Sequence, residues 1–210
     1  MPVIFVLAGV NGAGKSSIGG SLLREEGLAY FNPDEAASQI RELTGCTVEE
    51  ANSLAWAEGK RLLEDAIASR SNFAFETTLG GRTIPALLAR AADAGFELLV
   101  WFVGLASPEL HIERVRERIA RGGHAIPESK IRERWDSSRR NLIALMPLVT
   151  ELRVFDNSTT GDPLRGTIPE PRLLLDLRRG KIIAPPIGEL IETPEWAKPI
   201  LAAALQISGG

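Results

Sequence analysis

The first sixteen residues, MPVIFVLAGVNGAGKS, constrain the fold more than any other stretch of the chain. Residues 3–8 form an unbroken apolar run rich in β-branched residues, as in a strand buried on both faces of a parallel sheet. The run leads directly into residues 9–16, which match the pattern G-x-x-x-x-G-K-[ST] in full. A helix is predicted over residues 15–25, with its positive N-terminal end facing the same loop. Strand, loop and helix in this order predict a nucleotide-binding P-loop.

The chemistry of such a loop assigns roles to its residues. Glycines let successive backbone N–H groups point at phosphate oxygens. Lys15 then adds a cation near the β- and γ-phosphates, and the Ser16 hydroxyl is placed to ligate Mg²⁺. A strand and helix joined by a merely tight glycine corner is the alternative, which the full motif match disfavours. The predicted nucleotide-binding residues are Asn11, Gly12, Ala13, Gly14, Lys15, Ser16 and Ser17.

Length and composition restrict the class of protein. A chain of 210 residues with 44% hydrophobic residues can bury one good core. The net charge of -3 and the sequence pI near 5.6 give no overall indication of nucleic-acid or membrane binding. A single cysteine, Cys46, excludes an internal disulfide, and the N-terminus lacks the basic region of a signal peptide. We therefore expect a cytoplasmic protein.

Strand-like and helix-like segments alternate along most of the chain. Further strands are predicted at residues 28–31, 72–78, 97–104 and 151–155, with helices between them. This alternation predicts an α/β fold of the three-layer P-loop type, with a mostly parallel sheet of about five strands. Residues 1–158 would form the kinase-like domain, and residues 159–210 a C-terminal extension. A hairpin over residues 172–184 and a last helix opened by residues 193–196 give that extension a packing or interface role.

Two acidic residues follow predicted strands and are candidate site residues. Asp34 begins a predicted helix, so it is either the helix N-cap or a group at the ligand-binding edge of the sheet. Glu76 ends an apolar strand together with Thr77 and Thr78, and burial without a partner would be costly. It therefore belongs at the mouth of the strand beside the P-loop, or in a structural ion pair.

An arginine-rich helical pair is predicted over residues 107–146. Arg114, Arg118 and Arg121 lie on one face of its first helix, and Gly122 and Gly123 form a hinge. The second helix, from residue 128 to about 146, adds further cations: Lys130, Arg132, Arg134, Arg139 and Arg140. Interleaved glutamates also permit a solvated, salt-bridged surface. For the cluster as a whole we favour a lid over about residues 114–134 that closes on polyphosphate.

These features narrow the type of P-loop protein. The chain shows no conventional Walker B strand ending in Asp, which weakens the motor-ATPase and GTPase interpretations. The layout favours a small-molecule kinase of the nucleoside-monophosphate-kinase type. A polynucleotide or other metabolite kinase, and a nucleotide-dependent binding switch, stay open as alternatives. The loop at Asp156, Asn157 and Ser158 contacts the nucleotide base or is an ordinary polar turn.

Four ordered motifs resemble the zeta toxin family, specifically its chromosomal, zeta-like branch. They are Phe31-Asn32-Pro33-Asp34, Phe73-Ala74-Phe75-Glu76-Thr77-Thr78-Leu79, Arg121-Gly122-Gly123-His124-Ala125-Ile126-Pro127 and Asp156-Asn157-Ser158. The resemblance spans about residues 1–158. It implies a kinase that uses ATP or GTP with Mg²⁺ to phosphorylate the 3′-hydroxyl of UDP-N-acetylglucosamine, and a small helical antitoxin as partner.

The resemblance also implies roles for single residues. Asp34 matches the base that acts on the sugar hydroxyl, and Glu76 and Thr77 match the substrate-binding segment at the strand end. Two lid arginines would stabilise the migrating phosphoryl group. Arg121 and Arg134 are the first choices for these, with Arg118 and Arg132 as the other candidates. Arg82, which opens the next predicted helix, is a further candidate for substrate binding.

Overall fold

The computed structural model describes residues 1–15, 18, 30–123, 125–159 and 170–209. Within this part of the chain a single sheet has the strand order β2-β3-β1-β4-β5-β6-β7. Its strands are β1 (Val3–Ala8), β2 (Tyr30–Phe31), β3 (Phe73–Thr77), β4 (Glu97–Gly104), β5 (Glu151–Asp156), β6 (Arg172–Arg178) and β7 (Lys181–Ala184). The predicted helix over residues 15–25 falls almost wholly outside the described residues.

The first five strands are parallel, as predicted, and their pairing register aligns their carboxyl ends. Ala8 at the end of β1 pairs with Thr77 on one side and Phe102 on the other. Phe31 at the end of β2 pairs with Phe75 of β3, and β4 and β5 end together. The P-loop and the segments after β2, β3 and β5 therefore leave the sheet at one edge, which is where open α/β sheets bind ligands.

Six helices complete the described part of the fold. They are α1 (Pro33–Thr44), α2 (Val48–Ser69), α3 (Thr83–Asp93), α4 (Pro108–Ala120), α5 (Glu128–Leu145) and α6 (Lys198–Ser208). Polar side chains cap three of them at the N-terminus: Thr47 with Glu50 in a capping box on α2, Ser107 on α4 and Asn32 on α1. None of the described helices has the length and apolar character that a membrane span requires.

The cap of α1 corrects one interpretation of Asp34. Asn32, not Asp34, is the N-cap, and its side-chain oxygen accepts the backbone N–H of Asp34 at 2.9 Å. Pro33 takes the first helical position, where its missing N–H costs nothing and its fixed φ suits the helix. Asp34 is thus not needed as the cap, and its carboxylate is available for another role.

The main core lies between one sheet face and the helices that cover it. Ile4, Val6, Val100 and Val154 are fully buried there or nearly so. Helix α2 packs on β3, α3 on β4 and α6 on β7. On the opposite face the half-buried rings of Phe5 and Trp101 meet edge to face at 5.3 Å.

The sheet has seven strands rather than the predicted five, because the C-terminal segment adds two. Strand β6 pairs antiparallel with β5, and β7 with β6, so the predicted hairpin over residues 172–184 extends the sheet. The last helix begins at Lys198, a few residues later than the sequence indicates. Its residues Ile200 and Leu201 belong to the main core cluster.

Candidate active site

A cleft of about 460 Å³ opens at the carboxyl edge of the parallel strands. Its floor is formed by the ends of β2 and β3, one wall by α2, and the other by the start of α5 with the residues before it. The polar residues that line it are Asn11, Asp34, Asn52, Lys60, Glu76, Thr77, Thr78, Thr83, Lys130, Glu133 and Arg134. Its size is in the range of small-molecule sites, and several polar groups converge on it.

The P-loop begins at Gly9, directly after β1, which lies between β3 and β4 in the sheet. Gly9 has φ +146°, and a Cβ there would come within 2.3 Å of the Val103 carbonyl oxygen of β4. Its N–H donates to the Thr77 carbonyl of β3 at 3.1 Å. The loop can therefore leave the sheet at this point only with glycine.

Lys15 lies at the centre of a buried polar group. Its Nζ is 3.2 Å from Oε1 of Glu76, and both side chains are at most one-tenth exposed. The Tyr30 hydroxyl donates to the other carboxylate oxygen of Glu76 at 2.9 Å. The sequence left two interpretations of Glu76 open, and both apply, because its ion pair is made with the P-loop lysine itself at the strand mouth.

Asp34 faces the cleft from the first turn of α1 and contacts α4. Its Oδ2 lies 3.2 Å from Nη1 of Arg118, near the C-terminal end of α4. Both side chains are partly exposed, at 41% for Asp34 and 35% for Arg118, so solvent can reach the pair. A carboxylate at this place can accept a hydrogen bond, and hence a proton, from a hydroxyl group in the cleft.

Arg134 reaches the P-loop from α5. Its Nη1 donates to Oδ1 of Asn11 at 2.8 Å, and burial lowers the pKa of its guanidinium. Val10 of the P-loop also packs with Ile112 of α4 and Ile131 of α5 in a small apolar cluster. The two helices are thereby joined to the P-loop by both a polar and an apolar contact.

The remaining predicted site residues are placed differently from one another. Thr77 lines the cleft, and its Oγ1 accepts the N–H of Leu79 at 3.0 Å. Arg82 and Arg121 are exposed and do not line the cleft, although Gly81 and Thr83, the neighbours of Arg82, do. Ser16, Ser17 and His124 lie outside the described residues. The roles of all these residues remain predictions.

Two further residues support the P-loop: His111, which sequence reasoning did not single out, and Asn157, for which it left two roles open. His111, buried in α4, contacts the Asn11 carbonyl through Nδ1 at 2.9 Å, and burial lowers its pKa to about 4. Asn157, from the loop after β5, donates Nδ2 to the Ala13 carbonyl at 2.8 Å. The predicted loop at Asp156–Ser158 thus holds P-loop backbone. The sequence signals for Asn157 were its position after a strand and its place in one of the four motifs, and neither indicates a contact with the P-loop backbone. A single histidine in a helix gives no such signal.

A model of the Zeta toxin family matches residues 1–161 of the chain. The protein belongs to the zeta toxin family. The match confirms the resemblance seen in the four motifs and identifies the protein as a P-loop kinase, which is a phosphotransferase. The matched residues include the P-loop, the ends of the five parallel strands, and helices α4 and α5.

Relatives and solved structures agree with this assignment. An uncharacterized protein of Haemophilus influenzae is 28% identical over 127 residues, which cover 60% of this chain and 88% of that protein. The AvrRxo1-ORF1–ORF2 complex with ATP has a TM-score of 0.65 at 17% identity, over 97% of this chain and 64% of that one. The PezAT chromosomal toxin–antitoxin system of Streptococcus pneumoniae has a TM-score of 0.57 at 15% identity, over 99% and 86%. At these identities the structures show the shared fold.

Proposed function

We propose that this zeta toxin family kinase transfers the γ-phosphoryl group of ATP or GTP to a hydroxyl of a nucleotide sugar such as UDP-N-acetylglucosamine. One observation carries the proposal: the Asp34 carboxylate and the Arg134 guanidinium line the same cleft, beside the P-loop residue Asn11. A phosphoryl transfer needs a proton acceptor, a phosphate-binding loop and a cation on the transferred group, and all three meet here.

Asp34 orients the acceptor hydroxyl and takes its proton. Because Asn32 caps α1, the Asp34 carboxylate is not consumed in satisfying the helix. Arg118, at 3.2 Å, fixes its direction before the acceptor arrives.

Lys15 and Arg134 supply positive charge to the phosphates. Lys15 is held at the P-loop by Glu76, so nucleotide binding exchanges a carboxylate partner for phosphate oxygens. Arg134 is held against the P-loop by Asn11 and adds charge where the phosphoryl group migrates. Preorganised cations of this kind stabilise the transition state more than the ground state.

A magnesium ion is part of the proposal through Ser16, which the motif assigns to it. The described residues contain no group of three or more His, Cys, Asp or Glu side chains that could hold a metal. In a P-loop site the nucleotide phosphates and waters provide most of the metal ligands. When bound, the ion would neutralise charge between the β- and γ-phosphates.

The side chains on the walls of the cleft favour an acceptor that has a ring and an anionic group. Trp56 of α2 is 52% exposed and lines the cleft beside Phe31. Lys60, one helical turn further on, lines the same wall, and Lys130 lies on the lid side. Aromatic faces stack on sugar or base rings, and the two ammonium groups attract phosphate oxygens.

A small antitoxin is the proposed protein partner. Of the two structural neighbours above, AvrRxo1-ORF1 is in complex with AvrRxo1-ORF2, and PezAT is a toxin–antitoxin system. We propose that this chain likewise binds a small helical protein. Co-purification with a chromosomally adjacent small protein tests this part of the proposal.

The transfer itself is tested with purified protein, Mg²⁺ and γ-labelled ATP, with and without UDP-N-acetylglucosamine. We expect label on the sugar nucleotide with the native chain and none with Lys15→Ala. Lys198→Ala is the control, since Lys198 is exposed on α6 and pairs only locally with Glu195. Labelled protein products or hydrolysis alone, with ATP still bound, would reject this acceptor and move the search to a metabolite extract.

A further inference from the structure

The loop after β3 holds a glycine directly against the stem of Arg134. A Cβ at Gly80 would lie 2.7 Å from Cγ and 3.3 Å from Cβ of Arg134, and 3.4 Å from Oγ of Ser137. Cγ is near the base of the side chain, so a bond rotation at its far end would not relieve the contact. The space that Arg134 crosses on its way to Asn11 is therefore the space that a side chain at residue 80 would fill.

The loop cannot move away to make room. Asn141 of α5 donates Nδ2 to the Leu79 carbonyl at 2.7 Å and to the Gly81 carbonyl at 2.8 Å. Leu79 is itself buried in the main core. Gly80 is thus fastened to α5 on both sides, and α5 is the helix that carries Arg134.

The backbone does not explain the glycine. Gly80 and Gly81 are both absent from the residues of the described chain with positive φ, so alanine suits the backbone at either position. A Cβ at Gly81 would meet nothing within 4 Å. The two adjacent glycines therefore differ in what a side chain would meet, which is first of all Arg134 beside Gly80 and open space beside Gly81.

We propose that Gly80 is a positioning residue for Arg134: by having no side chain, it lets the guanidinium lie at the P-loop before any nucleotide binds. The lid cation is then preassembled, fixed by Asn11 at its tip and by Gly80 along its stem. This inference rests on the proposed function only through nucleotide binding, and not on the identity of the acceptor. Its consequence is a preference for triphosphate over diphosphate, since a guanidinium placed there contacts the γ-phosphate.

The test measures by calorimetry the dissociation constants of ADP and of a non-hydrolysable ATP analogue with Mg²⁺. We expect Gly80→Ala to reduce the preference for the triphosphate about tenfold, the factor expected for loss of one charge-assisted hydrogen bond. Gly81→Ala, the matched control, should change it less than twofold. Thermal unfolding of each variant shows whether the fold is retained.

A double-mutant cycle separates positioning from a general disturbance of the loop. Arg134→Ala removes Cγ, the one atom that a Cβ at residue 80 would approach within 3 Å, and leaves the contacts at 3.3 Å with Cβ and 3.4 Å with Oγ of Ser137. Gly80→Ala should therefore change the triphosphate preference less than twofold in that background. If Gly80→Ala does not fold, the double variant should fold. The proposal is overturned if Gly80→Ala keeps the native preference, if its effect persists without Arg134, or if the double variant fails to fold. A wrong acceptor leaves all of these binding ratios untouched, so the two failures are distinguishable.

Discussion

At the scale of single residues, His111 links the P-loop to the stability of the protein. Burial, and then the nearby charges of Lys15 and Arg114, lower its pKa to about 4, against the hydrogen bond to Asn11. The folded chain therefore keeps His111 neutral while the unfolded chain binds a proton below about pH 6.5. The contribution of His111 to the free energy of unfolding is therefore present above that pH and is lost as the pH falls towards 4.

We expect this group to lower the free energy of unfolding by about 2 kcal/mol between pH 7 and pH 5. Urea unfolding at the two pH values measures the difference. The comparison uses His124→Asn as background, which leaves His111 as the single histidine, and His111→Gln in that background as the variant that cannot titrate. The paired carboxylates, whose pKa values are lowered from 4.5, change protonation below this window. An equal pH dependence in both chains would contradict the assignment.

Asp34 makes a second residue-scale prediction. Asp34→Asn keeps the shape and the Asn32 cap but removes the proton acceptor, so we expect turnover to fall roughly 10²–10⁴-fold with little change in nucleotide affinity. Glu35→Gln is the control, because Glu35 is its exposed neighbour on α1 and is not among the residues that line the cleft. Steady-state kinetics with calorimetric nucleotide binding measures both quantities. Unchanged turnover would remove Asp34 from the role of base.

The site was only partly predictable from the sequence, for a physical reason. The sequence places Lys15 and Asp34 just after strands and Glu76 near the end of one. Because the carboxyl ends of parallel strands meet at one edge of the sheet, the proximity of these residues follows from the alternation of strands and helices. The choice among the arginines of α4 and α5 does not follow from it. Helical periodicity predicts which side chains share one face of a helix, but not which residue each of them contacts. Arg118 meets Asp34 and Arg134 meets Asn11, whereas Arg121 is exposed.

At the scale of elements, Arg139 in the middle of α5 contacts Trp135 of the same helix and the backbone of Trp196 in the C-terminal segment. The Arg139 guanidinium lies 3.5 Å from the ring centre of Trp135. It also donates Nε to the Trp135 carbonyl at 2.8 Å and Nη1 to the Trp196 carbonyl at 3.2 Å. This side chain joins α5 to the C-terminal segment, in addition to the apolar packing between them.

We expect Arg139→Met to lower the free energy of unfolding by about 1–3 kcal/mol, because it removes a cation–π contact and two hydrogen bonds to backbone. Arg140→Met is the matched control, since Arg140 is the exposed neighbour on the same helix, and its change should stay within about 0.5 kcal/mol. Urea unfolding followed by far-UV circular dichroism measures both. Equal losses in the two variants would mean that this anchor contributes nothing specific.

The elements themselves were largely predictable, with the ends less so. The five parallel strands and the capping box on α2 follow from apolar runs and local polar patterns. The sequence left Asp34 open as a possible cap of α1, because Asp is a good cap by residue type. The cap is Asn32, two residues earlier, because Pro33 takes the first helical position. Joining β6 to β5 depends on pairing across a long connection, for which no local pattern exists.

At the scale of the whole molecule, the C-terminal segment completes the sheet and the core. The family match ends at residue 161, but residues beyond it lie in the main core cluster, among them Leu175, Trp196 and Ile200. Trp196 also packs on the end of β4, where a Cβ at Gly104 would come within 2.3 Å of its ring. A segment outside the matched residues therefore supports the strand next to the P-loop.

Truncation tests whether residues 1–161 can fold alone. Removing residues 162–210 would expose the edge of β5 and the apolar side chains that β6 and α6 cover. Unpaired edges and uncovered apolar faces favour aggregation, and each large core side chain lost costs about 3–5 kcal/mol. We therefore expect the truncated chain to be insoluble or to unfold without a cooperative transition. A chain shortened by only residues 209–210 should keep native unfolding and ATP binding, since α6 ends at Ser208. Cooperative unfolding and native ATP affinity in the longer truncation would instead show that the kinase domain is independent of its C-terminal extension.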